Sequence, residues 1–138
     1  MRAKSIGSIV KEVCALENFD KQKKLEILRK YDNPGLRQFL DILFAEQIEW
    51  LLPEGSPPYK PNPNPDADGI LYGEIRRLYI FTNQAPNLTP MKREMHFIRL
   101  LENVTPDDAE LLIAMKDHKP PKGITKKLVE EAYGLQKV

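Results

Sequence analysis

Six prolines crowd the stretch from Pro53 to Gly69 (Pro53, Pro57, Pro58, Pro61, Pro63, Pro65), and it holds almost no aliphatic residue. Repeated prolines remove backbone donors and fix φ, so this stretch is no helix and runs as an extended, polyproline-like segment. It divides the chain into two halves. Each half is read as helical, because apolar residues recur at three- and four-residue spacing behind recognisable caps. The segment is either a surface loop that connects the halves or a docking loop for a partner, with Tyr59 and Lys60 as handles. Its acidic pair, Asp66 and Asp68, lacks the distal glutamate of a calcium loop, so no metal is expected there.

In the first half, the residues from about Ala3 to Leu16 place Ile6, Ile9, Val10, Val13 and Leu16 on one helical face. Asp20 stands as N-cap before a second helix striped by Leu25, Leu28 and Tyr31. Asp32-Asn33-Pro34 ends it, and Pro34 opens a third helix. There Leu36, Phe39, Leu40, Leu43 and Phe44 form the strongest apolar stripe of the chain. Ile48, Trp50 and Leu52 alternate, which suits either a helix extension or an extended course.

In the second half, ILYGEIRRLYIFTN is expected to be helical, with Ile75, Leu78, Tyr79 and Thr82 sharing a face. Thr89-Pro90 starts a helix carrying Met91, Met95, Ile98 and Leu101 inward, the methionines acting as adaptable core filler. Thr105-Pro106-Asp107-Asp108 starts another, its acids complementing the helix dipole from surface positions. Ala109, Leu112, Ile113 and Met115 face the core. Lys119-Pro120-Pro121 stops it. Thr125 caps a last helix, in which Leu128, Val129 and Ala132 pack and Gly134 serves as a left-handed stop. The expected fold is all-α, a single compact bundle of about seven helices over residues 1–138, with the proline-rich loop 53–69 between two halves.

Chemistry is sparse. The chain has 138 residues, a formal net charge of +1, one cysteine and two histidines. A near-neutral chain needs a local patch to hold a polyanion. A lone cysteine excludes an internal disulfide and suits a reducing, intracellular setting. No apolar run is long enough to span a bilayer and no signal-peptide core is seen, so no membrane partner is expected. His96 and His118 form no metal motif, the glycines form no phosphate loop and the serines have no nucleophile setting. No catalytic residue, metal or cofactor is expected, and the chain is read as non-enzymatic.

One stretch concentrates charge. From Lys116 to Lys127 there are five lysines (Lys116, Lys119, Lys122, Lys126, Lys127) and His118 against one acid, Asp117. A helix start with unpaired amides amid lysines can hold an anion such as a phosphate. The same residues also make an ordinary loop-to-helix joint with solvated lysines.

The stretch FDKQKKLEILRKYDNPGLRQFLDILFAEQIEWLLPEG, with the later NVTPDDAELLIAMKDHKPPKGITKKLVEEAYG, resembles the N-terminal DNA-binding domain of the ATP-dependent DNA ligases of T-even-type bacteriophages. The likeness in helix order spans roughly Ala3 to Gly134. It implies sequence-independent binding of duplex DNA through the backbone, in the cytoplasm of an infected bacterial host. The position matching the family's basic glycine corner is Lys122-Gly123-Ile124-Thr125-Lys126; with Lys119 and Lys127 these are the candidate DNA-binding residues. Arg29, Lys30 and Arg37 form a possible second patch. The chain departs from the ligases in two ways. It lacks their adenylated Lys-x-Asp-Gly motif, since Asp68-Gly69 follows Asp66 where lysine is required. Its proline-rich loop has no counterpart in the ligase pattern. A protein-interaction adaptor, binding a phage or host protein through Pro53–Pro65 or a helix face with DNA binding lost, is the competing expectation.

Overall fold

The structure is a computed structural model that describes residues 4–17, 19–64 and 66–134. Ala3 and Pro65, named above, lie outside these. Among the described residues there are seven α-helices and no strand: α1 (Ile6–Cys14), α2 (Lys21–Lys30), α3 (Pro34–Leu43), α4 (Ile70–Glu74), α5 (Pro90–Asn103), α6 (Pro106–Lys116) and α7 (Lys126–Tyr133). Two 3-10 segments, Ala67–Gly69 and Ile75–Phe81, flank α4. The architecture is the expected all-α bundle.

The caps form where the sequence places them. The side chains of Asn33, Thr89, Thr105 and Thr125 each accept from the amide three residues on, satisfying an otherwise unpaired donor of the first turn. Ser5 does the same for α1. Asp20 precedes α2 but accepts no capping bond. Gly134 stops α7 at φ 67, as expected. α6 ends in a Schellman turn, in which Lys119 N–H donates to Ala114 O and His118 N–H to Met115 O. The left-handed residue of that turn is His118, at φ 55.

α1 packs on α6, α2 on α7, α1 on α2 and α5 on α6. Fully buried Phe39, Ile6, Ile9, Leu28, Leu36, Leu40, Leu71, Leu101 and Leu112 anchor one continuous core. Trp50 makes an isolated antiparallel bridge with Thr82, and Leu51 N–H donates to Phe81 O at 2.8 Å. The ambiguous stretch after α3 is therefore extended.

Three expectations fail. The helix over ILYGEIRRLYIFTN gives way after Glu74 to a 3-10 segment, burying Ile75, Leu78 and Phe81 at the three-residue spacing of that helix type while Tyr79 is exposed. α5 is turned partway round: Leu101 is buried as expected, but beside Phe97, Leu100 and Arg93, while Met91 is 74% exposed and Met95 47%. The methionines are not core filler. The third failure is Asp108, assigned to the surface but completely buried, whereas Asp107 is partly exposed.

Asp108 sits inside because α1 crosses α6 at glycine. A Cβ on Gly7 would lie 2.4 Å from the Asp107 carbonyl carbon and 2.5 Å from the Asp108 nitrogen. That close approach lets Gly7 N–H donate to Asp108 Oδ1. Asp108 Oδ2, equally buried, has no hydrogen-bond partner among the described residues. Burial pushes the carboxyl up to about 6, with neighbouring Asp68 and Asp107 adding to the effect and the bonds from Gly7 and Thr105 opposing it. Outside this crossing, Lys11 pairs with Asp107 at 2.7 Å and Lys4 with Glu12.

The proline-rich segment is tied down as a strap. Buried Lys116 donates to Pro53 O at 2.8 Å and pairs with Asp117 at 2.6 Å, and Asp117 also accepts from Gly55 N–H. Lys60 N–H donates to Glu102 at 2.9 Å, and the Asn62 side chain donates to Asn103 O at 2.7 Å, covering the C-terminal end of α5. Tyr59 is partly buried against the core, which leaves the Lys60 side chain outside. Burial, with Glu110 nearby, raises the Tyr59 phenol above its ordinary value.

Candidate nucleic-acid interface at the start of α7

α7 is short, and its position is set from α2. Lys24, buried, donates to Gly123 O at 2.8 Å. Arg29 Nε donates to Ala132 O at 2.9 Å, and Tyr133 Oη to Leu28 O at 3.0 Å. Both ends of α7 are thus held by α2 side chains or backbone.

The seven candidate residues at this corner divide by location. Gly123 has φ 106, and a Cβ there would come 3.1 Å from the Cys14 Cα. Glycine is required by the left-handed turn and by contact with the end of α1. Ile124 is buried in the core. Thr125 caps the helix through Leu128 N–H at 3.1 Å. These three build the corner. Lys119 lies apart, 3.1 Å from Glu54 of the strap, with both side chains well exposed. Lys122, Lys126 and Lys127 are exposed and make no ion pair with another described residue. The amides of Lys126 and Lys127 have no described backbone or side-chain acceptor.

Lys116, counted in the basic run, points inward to Pro53 and Asp117 and adds nothing to this surface. The second patch is committed to internal contacts. Arg29 closes the end of α7. Arg37 grips Asp32 through Nε at 2.7 Å and Nη2 at 2.6 Å, and stacks 4.6 Å from the Tyr133 ring centroid. The Arg37 bond holds the Asp32 carboxyl below its ordinary value. Burial, with Asp32 adding to it, drives the Tyr133 phenol up to about 12. Lys30 lies 5.1 Å from the Tyr31 ring centroid. The two patches sit at opposite ends of α7.

An open groove of about 600 Å³ runs along the corner, lined by Lys21, Lys24, Pro120, Pro121, Lys122, Gly123, Ile124, Thr125, Lys127, Leu128 and Glu131. Lys21 and Lys24 enter it from α2, two basic residues that were not among the candidates. Their run, KQKK, is plain in the sequence, but only the packing of α2 on α7 brings it to the corner. Lys21 is partly neutralised by Glu131 at 2.7 Å. Cys14, behind Gly123, is half-buried, and burial raises its thiol above the ordinary value against the opposing charge of Lys24. Among the described residues no group of His, Cys, Asp or Glu could hold a metal ion. Among the described residues no helix is long and apolar enough to cross a membrane.

No curated protein and no solved structure matches the chain. A family profile matches residues 11–122, from within α1 to the lysine that opens the α7 corner. Its description names neither a nucleic acid nor a ligase. With most of its length matched, the chain belongs to DUF6433, a family of unknown function.

Proposed function

We propose that this protein binds the phosphate backbone of duplex DNA, without reading sequence and without acting on it, through the groove at the start of α7. One observation carries the reading. Lys122, Lys126 and Lys127 are exposed and unpaired among the described residues, around a helix start whose first two amides are unsatisfied. Lysines of this kind exchange condensed counterions for phosphates, and helix-start amides donate to phosphate oxygens. Gly123, Ile124 and Thr125 act as scaffold, holding the lysines in place. Arg29 and Arg37 are left out of the footprint, since their guanidinium groups already serve α7, Asp32 and Tyr133.

The reading has a quantitative consequence. Three phosphates neutralised by three lysines give a log–log salt slope of about −2.7, at about 0.9 per contact. Fluorescence anisotropy with a labelled duplex, between about 50 and 200 mM salt, measures it. Lys122→Glu with Lys126→Glu should abolish binding without lowering the melting temperature, because both side chains are exposed. Absence of binding by the parent protein at about 50 mM salt refutes the proposal.

A further inference from the structure

A second cationic cluster lies away from α7. The 3-10 segment Ile75–Phe81 packs on α5. Phe81 meets Phe97 edge to face, with centroids 5.3 Å apart and planes at 75°. Arg93, buried in α5, donates to Ile80 O at 3.2 Å, and to Ala85 O and Leu88 O at 2.9 Å each. These contacts fix the segment against the helix. Between the two remains a cleft of about 250 Å³, with Arg77 on one wall and His96 and Arg99 on the other. Glu74, Ile80, Phe81, Leu100 and Asn103 also line it.

Acids that could neutralise this cluster are few or already engaged. Glu74, which also lines the cleft, pairs with Arg77 at 3.6 Å and offsets part of its charge, but the distance is too long for a hydrogen bond, so the Arg77 donors stay available. Glu102, three residues beyond Arg99, accepts from Lys60 N–H of the strap. Among the described residues Arg99 has no ion-pair partner. Two guanidinium groups and an imidazole therefore share one cleft of mixed lining with a single acid, Glu74. Guanidinium forks match the paired oxygens of phosphate. The cleft is smaller than the roughly 300–1,000 Å³ of pockets for drug-sized ligands, which suits a small anionic group.

We propose that Arg77, His96 and Arg99 form a binding site for the phosphate group of a small phosphorylated ligand. The site shares no lining residue with the α7 groove and does not rest on the DNA reading. Its source is either free phosphate or a phosphate ester. The test is a ¹H–¹⁵N chemical-shift titration of the full chain with inorganic phosphate, and separately with AMP, at constant ionic strength set by chloride. Saturable shifts at Arg77, His96 and Arg99 are expected. Tighter binding of AMP identifies an ester as the ligand, and equal binding identifies phosphate itself. Arg77→Gln with Arg99→Gln should weaken binding by about tenfold or more, since charge-assisted bonds are lost. Lys122→Glu with Lys126→Glu should leave it unchanged. Should the glutamine pair unfold, Arg99→Lys keeps the charge, removes the fork and should still weaken binding. Shifts that fail to saturate, that acetate reproduces equally, or that persist in the folded glutamine or lysine variants overturn the proposal.

Discussion

Replacing Asp108 by asparagine should remove a pH dependence from the stability of the α1–α6 crossing. The carboxyl is fully buried, with one oxygen held by Gly7 N–H and the other without a partner. Its pKa rises from 3.8 to about 6, chiefly through burial. The helix dipole works the other way, because the residue stands in the first turn of α6, where negative charge is favoured. Desolvation outweighs it at zero exposure. A folded pKa above the unfolded one means that the folded chain binds the proton more tightly. The associated stability is fully present below about pH 3.8 and is lost as pH rises through about 6. At 1.36 kcal/mol per pH unit, the full span is about 3 kcal/mol, and about 2 kcal/mol of it falls between pH 4.5 and pH 7.5.

Asparagine keeps an oxygen for Gly7 N–H but places unpartnered amide hydrogens where Oδ2 was, at a cost of about 1–3 kcal/mol. That cost is the same at every pH. The informative quantity is therefore the change with pH in the stability difference between variant and parent. Urea unfolding followed by far-ultraviolet circular dichroism at about pH 4.5 and 7.5 measures it. The variant should gain about 2 kcal/mol relative to the parent on going to the higher pH. Ion pairs such as Arg37–Asp32 titrate equally in both proteins and cancel. A stability difference that is flat with pH refutes the argument, and would mean that the dipole and the Gly7 bond offset the desolvation.

Gly7→Ala should cost about 3 kcal/mol or more, because the new methyl meets the backbone of Asp107 and Asp108, which cannot swing aside. Gly73→Ala is its control, meeting nothing within 4 Å, and thermal melts should show it neutral or stabilised by up to about 1 kcal/mol. His118→Gly relieves a left-handed residue at φ 55. It should raise stability by about 0.5 kcal/mol, the strain of about 1–2 kcal/mol less the added freedom of glycine in the unfolded chain, measurable by calorimetry.

Much of this fold was legible along the chain. Thr89, Thr105 and Thr125 each close a bond within three residues, so their helix starts depend on no distant partner. The stripe Leu36-Phe39-Leu40-Leu43 and the stop at Gly134 are equally local. The prolines of the strap excluded a helix there by their own covalent chemistry. The corner at Lys122–Lys127 was visible as charge behind a cap, and its three exposed lysines are where the pattern placed them.

What required the tertiary structure was the choice among faces that the sequence leaves equivalent. α5 has apolar residues at Met91 and Met95 as well as at Phe97 and Leu100, and the packing of the 3-10 segment and α6 decided that the second pair was buried. Asp107 and Asp108 are adjacent acids in one first turn, yet the crossing of Gly7 buries only the second. Arg29 reads as part of a free basic patch until α7 folds back to take its donors, whereas Arg37 is taken locally by Asp32 and only then stacks on Tyr133 of α7. Lys21 and Lys24 reach the α7 groove across about a hundred residues of chain, as the Lys24–Gly123 separation of 99 shows. Capping and period are local energies, settled within a turn or two. Burial and charge pairing depend on which surface arrives from elsewhere, and only the assembled bundle determines that.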